Sequence, residues 1–263
     1  MSSDSNSINV GMVGLSATGM ALGLKLASRG SRLRKLESLV PKVSTDNIKT
    51  FKSKLKPGDV LLIGKKGLRG INAVGEKFTR LSEGFNVHTA MYVGNNEIVH
   101  VTHNRGGGIL KDSLDMHLKP NRNILVVRPN ESKEKIDLSV KLAKSAFKEK
   151  RYKYGKNLAT ISAKGLIGDT EVEKKLSKML FKDRVNKSTV LCSTAVADIQ
   201  SRAGFKQDLA PRIMTTVDFR SMYKPPVLEF KGLKNTYKTS KYQGMGFFIP
   251  SFALGAYELK KEM

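Results

Sequence analysis

Two runs of strand-forming residues, 87–93 and 97–102, enclose Gly94-Asn95-Asn96, three residues that tolerate positive φ, and the segment reads as a β-hairpin. Because side chains alternate along a strand, the loop length decides which residues share a face. A three-residue loop sets Ala90 opposite His100 and His88 opposite Thr102, so that both imidazoles lie on one face. A two-residue loop of Asn95-Asn96 sets His88 opposite His103 and turns His100 away. The odd loop is the expectation. A turn at Lys56-Pro57-Gly58-Asp59 feeds a strand over 60–63, and a second buried strand over 124–127 is ended by Arg128-Pro129.

From Glu131 the period becomes helical. Ile136, Val140, Ala143 and Phe147 recur at i, i+4, i+7 and i+11, predicting a helix over 131–150 that covers the sheet. Cys192, Ala195, Val196, Ile199 and Ala203 form a second apolar stripe over 191–203, closed by Gly204 as a helix C-cap. A strongly charged helix over 170–183 falls inside an insertion over 158–187. These patterns define an α+β fold class: a small antiparallel sheet on the hairpin, packed against the two helices.

The ends read differently. The run 8–24 is apolar and Gly-rich but short of the ~20 apolar residues of a membrane span, and its basic residues follow it, the reverse of a secretory signal. No transmembrane span and no signal peptide are expected; the chain is cytoplasmic as synthesised, with virion association or delivery to a cell envelope as its destination. A short helix over 32–40 stops at Pro41, and 42–56 reads as a basic connector. The folded body is expected to start at Lys56 and to end at Lys224-Pro225-Pro226. The organisation is an N-terminal arm, 1–49, a catalytic domain, 50–230, and a basic then apolar tail, 231–263. Two apolar ends suit a component of a larger assembly.

Composition narrows the partners. Forty-seven Lys and Arg against 23 Asp and Glu leave +24, which favours anionic surroundings such as nucleic acid, anionic lipid or a cell-wall polymer. The single cysteine, Cys192, excludes an intramolecular disulfide and a multi-cysteine zinc site. No phosphate-binding fingerprint is present: glycines punctuate a basic loop over 64–84, and the Gly-rich runs around Gly11 and at Gly106-Gly107-Gly108, the latter read as a mobile turn, lack the strand-before, helix-after setting.

Thiol hydrolysis needs a thiolate, an imidazole to accept and return its proton, and a polar group that sets the imidazole's tautomer. Cys192, His88 and His100 supply these three, with Cys192 on the first turn of a helix, where unpaired N–H groups and the dipole favour negative charge. Each has a plainer alternative, an inert apolar cysteine and hydrogen-bonded strand histidines. For the three to act together, His88 must face Cys192. The competing site is a zinc held by His88, His100 and His103, which requires a bulge or strand end at His103. His117 reads as a surface residue.

The run from His88 to His100 resembles the hairpin of NlpC-type papain-like cell-wall hydrolases, in which a histidine base opens one strand and an orienting residue lies on the next. In ordinary members the cysteine helix precedes the hairpin; here Leu191-Cys192-Ser193-Thr194 follows it, which is similar to the circularly permuted, YiiX-like branch. Pro57-Gly58-Asp59-Val60, Val126-Val127-Arg128-Pro129 and Arg151-Tyr152-Lys153-Tyr154 are similar to further segments of that branch. The resemblance covers about 56–226 and implies a permuted papain-like fold, a cysteine amidase or endopeptidase acting on peptidoglycan-type peptides without a cofactor, and substrate contacts from Tyr152 and Tyr154, the Tyr152 hydroxyl lining the site. The third catalytic position is often acidic in that branch, and the 158–187 insertion is long, so substrate choice does not carry over. A thiol acyltransferase or lipid hydrolase on the same fold, and a non-catalytic basic component that binds nucleic acid, are the alternatives.

Overall fold

The computed structural model describes residues 35–36, 38–65, 86–102, 107–120, 122–155, 189–211 and 214–232, with isolated positions between 170 and 179. Its elements are β1 (Ser44–Thr45), α1 (Ile48–Lys54), β2 (Val60–Lys65), β3 (Asn86–Gly94), β4 (Glu97–Thr102), β5 (Gly108–Ser113), a 3-10 turn (Leu114–Met116), β6 (Arg122–Val127), α2 (Lys133–Lys148), β7 (Lys153–Tyr154), β8 (Thr189–Val190), α3 (Cys192–Arg202), α4 (Thr216–Met222) and β9 (Leu228–Lys231). Among the described residues, seven strands form one sheet in the order β1-β9-β6-β2-β3-β4-β5. Every pairing in it is antiparallel except β1 with β9. The mixed α+β class expected from the patterning is the class found.

The sheet has two apolar faces. Val60, Leu62, Met91, Val99, Val101 and Leu125 pack with Ala143 of α2, with Ala195, Val196 and Ile199 of α3, and with Phe219 of α4. Leu61, Ile63, Ala90, Ile98, Ile124 and Val126, the alternate positions, pack with Phe51 of α1 and with Leu114 and Leu118. Burial on both faces explains why β2 and β6 read as unbroken apolar runs.

The helices follow their sequence signals. Ser132 caps α2 by accepting from the Lys135 N–H. Gly204, at φ +81°, closes the chain beyond α3. Gly58, at φ +90°, lets the turn before β2 run close under α2: a Cβ there would lie 2.6 Å from Ile136 Cγ2. Asp59, buried beside this turn, accepts a two-pronged bond from Arg128, Nε to Oδ1 at 2.7 Å and Nη2 to Oδ2 at 2.8 Å.

Two expectations are corrected. Residues 42–56 are no mere connector: β1 joins the sheet, and α1, capped by Asn47, buries Phe51 completely. Burying a phenylalanine contributes about 1.5–3 kcal/mol, enough to fold a short basic segment that its lysines alone would leave in water. Nor does the compact region end at Pro226, because β9 follows and inserts between β1 and β6. The 64–84 loop beyond Lys65, most of the arm, the tail from residue 233, and all but isolated positions of the insertion and of the 170–183 helix lie outside the described residues.

Candidate active site

The hairpin turn has two residues, and yet the histidines pair as the three-residue loop requires. Asn95 and Asn96 occupy the left-handed region at φ 52° and 61°, a type I′ geometry, flanked by the pair Gly94–Glu97. Continued regularly, that turn would place His100 opposite Met91, on the helix-covered face. Instead the register shifts between Tyr92 and Gly94, leaving Val93 as an extra residue, and Tyr92 meets Ile98 while Ala90 meets His100. One bulge thus restores the odd register and puts His100 on the face of His88.

The two rings meet edge to face, centroids 5.0 Å apart, with His88 Nε2 2.8 Å from His100 Nδ1. His100 is buried, and its Nε2 lies 3.1 Å from Asp112 Oδ2 on β5. Chemistry directs these bonds. An ionised carboxylate only accepts, so His100 donates from Nε2; its Nδ1 then carries the lone pair and accepts from His88 Nε2–H. A neutral His88 consequently holds its basic lone pair on Nδ1.

Behind Asp112 stands His117, its ring 5.3 Å from that of His100 and its Nε2 3.7 Å from Asp112 Oδ2. His117 is not the surface residue expected: it is 7% exposed, drawn in by Leu114 and Leu118, which anchor the turn into the second core. Arg122 Nη1 lies 2.6 Å from His117 Nδ1. Burial, the neighbouring His100 and the Arg122 charge lower the His117 pKa from 6.5 to about 4, so the ring is neutral near pH 7.

His100, Asp112 and His117 bring three ligand atoms within 4.8 Å of one another, a spacing that invites a metal ion. The donor set argues against one. A metal on His117 Nε2 needs the proton on Nδ1, where the guanidinium, a donor with no acceptor, already points its own N–H. The trio with His103 expected from the sequence is not the cluster found, and His103 lies outside the described residues.

Cys192 is half-buried and opens α3; Leu191, at the N-cap, brings no side-chain cap to its first turn. Ser193 is held by Met214, its hydroxyl donating to the Met214 carbonyl at 2.8 Å. The α3 stripe packs on the first face of the sheet, the face of Thr89, whose hydroxyl lies 3.0 Å from that of Thr216 in α4. Alternation puts His88 and His100 on the second face, with Ala90 and Ile98. The expected placement of His88 on the helix-covered face is therefore corrected: His88 is itself paired with Ile63, and its ring meets His100 on the face away from α3. The β3–β4 ladder runs from Gly94–Glu97 to Ala90–His100; beyond it β3 stays with β2 as far as Asn86, and β4 stays with β5 as far as Thr102. His88 lies two residues beyond the last of these β3–β4 pairs, next to a second register shift opposite Ile63 and Gly64.

Tyr152 is buried, and its hydroxyl donates to Asp198 at 2.6 Å, where Arg202 also binds at 2.7 Å. Burial and the Asp198 charge push its pKa up. The hydroxyl expected to line the site is thus inside the core, whereas Tyr154 is half-buried on β7. Sequence reasoning missed Asp112, Arg122 and the role of His117. The segment carrying Asp112, Ile109-Leu110-Lys111-Asp112-Ser113, has no apolar–polar alternation to mark it as a strand. No protein family, no curated protein and no solved structure matches the chain.

Proposed function

We propose that the chain is a thiol hydrolase cleaving amide bonds, with Cys192 as nucleophile, His88 as base and His100 as the group that orients the base. The observation that carries this reading is the directed pair of bonds Asp112–His100–His88, which leaves His88 Nδ1 basic near the end of the sheet where β3 begins. In the reaction, the Cys192 proton passes to His88 Nδ1 as the sulfur bonds to the substrate carbonyl carbon. First-turn N–H groups of α3 stabilise the oxyanion. Collapse breaks the C–N bond, the amine leaves with the proton from His88, and water deprotonated by His88 then hydrolyses the thioester.

Because His88 lies on the face away from α3, this chemistry requires thiol and imidazole to meet around the end of the sheet, beyond the last β3–β4 pair. Peptidoglycan-type peptides are the proposed substrate, supported by the resemblance of the hairpin and the Cys-Ser helix and by the +24 charge, which favours anionic polymers. Incubation of the full chain with muropeptides and, separately, with acyl lipids tests it. Release of a free amine from muropeptides that is lost in Cys192→Ala is the expected result. Turnover of acyl lipid instead would assign an acyltransferase or lipid hydrolase, and turnover of neither would leave a non-catalytic basic component of a larger assembly.

A further inference from the structure

We infer that Arg122 and His117 are positioning residues that hold His88 in the tautomer with its lone pair on Nδ1; the inference deepens the hydrolase reading and rests on it for its effect on rate. The two ends of the chain of contacts cannot reverse. A guanidinium donates only and a carboxylate accepts only. With Arg122 Nη1 2.6 Å from His117 Nδ1, that nitrogen must accept, so the His117 proton resides on Nε2 and faces Asp112 Oδ2 at 3.7 Å. This separation is too long for a hydrogen bond, and among the described residues the buried His117 Nε2 has no hydrogen-bond partner. The carboxylate oxygen nevertheless lies 3.7 Å from the nitrogen that carries the proton. The opposite tautomer would aim a lone pair at a side chain only 9% exposed, where little water screens the repulsion.

The consequence passes along the relay. While the protonated nitrogen of His117 is the one nearer Asp112, the carboxylate remains an acceptor for His100 Nε2–H at 3.1 Å, and His100 Nδ1 accepts from His88 at 2.8 Å. Without the guanidinium, His117 is free to present its lone pair. Asp112 then gains by taking up a proton or turning away, and His100 loses the partner that fixes its ring. The same guanidinium keeps a metal off the trio, so a single residue both orients the relay and guards it.

Histidine tautomers are read directly from 15N imidazole shifts in the full chain, whose four histidines are assigned one substitution at a time. In the wild type His88, His100 and His117 are expected as Nε2–H forms. Arg122→Met should move His117 to Nδ1–H, erase the single-tautomer signature of His88, and slow alkylation of Cys192 at mildly acidic pH by about tenfold. Arg122→Lys should restore both. His117→Phe, which leaves Arg122 in place, should reproduce the loss, whereas His117→Gln, with an acceptor for Arg122 and a donor for Asp112, should not. An unchanged His88 tautomer and alkylation rate in either Arg122→Met or His117→Phe, folded by near-UV circular dichroism, would overturn the inference. Tautomers that respond as stated in a protein whose wild-type thiol is unreactive would instead overturn the hydrolase reading alone.

Discussion

His88 and His100 hydrogen-bond at 2.8 Å across a hairpin whose two-residue turn alone would have placed them on opposite faces; the extra residue Val93 brings them together. The catalytic reading thus depends on backbone geometry at positions that carry no chemistry of their own.

The turn is the first point of test. Asn95 is exposed at φ 52°, a conformation that β-branched residues avoid. Asn95→Val should destabilise the protein by about 1–2 kcal/mol and lower its melting temperature, whereas Asn95→Gly should leave it unchanged or slightly raised. Equal melting temperatures for the two variants would contradict the type I′ turn.

Thiol kinetics test the dyad. A Cys192 thiol paired with His88 at a helix N-terminus should alkylate with iodoacetamide well below the free-thiol pKa of ~8.5. His88→Ala should abolish that low-pH limb and any hydrolysis; His100→Ala should lower turnover and leave the thiol partly reactive. A thiol that reacts only after denaturant, at a rate neither substitution alters, marks an inert structural cysteine.

Whether Cys192 and His88 meet around the end of the sheet can be probed by distance. A three-carbon bis-alkylating reagent such as 1,3-dibromoacetone, attached first at Cys192, should bridge to His88 and give a cross-linked peptide by mass spectrometry. Single attachment with the second arm hydrolysed would mean that the sheet stands between them.

His117 gives the protein a pH-dependent stability. Its pKa is lowered in the fold, so the unfolded chain takes up the proton first; this contribution is complete above pH 6.5 and is lost as pH falls toward about 4. The loss is of order 3 kcal/mol at most. Urea titrations from neutral to acidic pH should show His117→Gln losing less stability than the wild type over that interval, and parallel curves would refute the assignment.

Tyr152→Phe separates core from site. Removing the hydroxyl that binds buried Asp198 should cost about 1–3 kcal/mol, while the alkylation rate of Cys192 stays unchanged. A slowed rate at equal stability would return Tyr152 to the site.

Helix and strand positions were legible because burial imposes periods of 3.6 and 2: the α2 and α3 stripes, β2, the two hairpin strands and the core of β6 all stand where the apolar residues recur. The extra sheet strands were not. β1 has two residues, β5 carries Lys111 and Asp112, and β9 alternates over only the four residues Leu228-Glu229-Phe230-Lys231, so hydrogen bonds to neighbours distant in sequence fix them as strands.

The sequence by itself determined the α+β class, the hairpin, the two covering helices, and the presence of one thiol at a helix start and two histidines on the hairpin strands. Tertiary structure alone decided which face the histidines occupy, that Asp112 backs His100, and that His117 is buried against Arg122. The physical reason is that periodicity records only whether a position is buried. A one-residue bulge reverses the face of every residue beyond it without changing that record, and a hydrogen-bond relay joins side chains from β3, β4, β5, the turn after it and β6, which meet only once the sheet has formed.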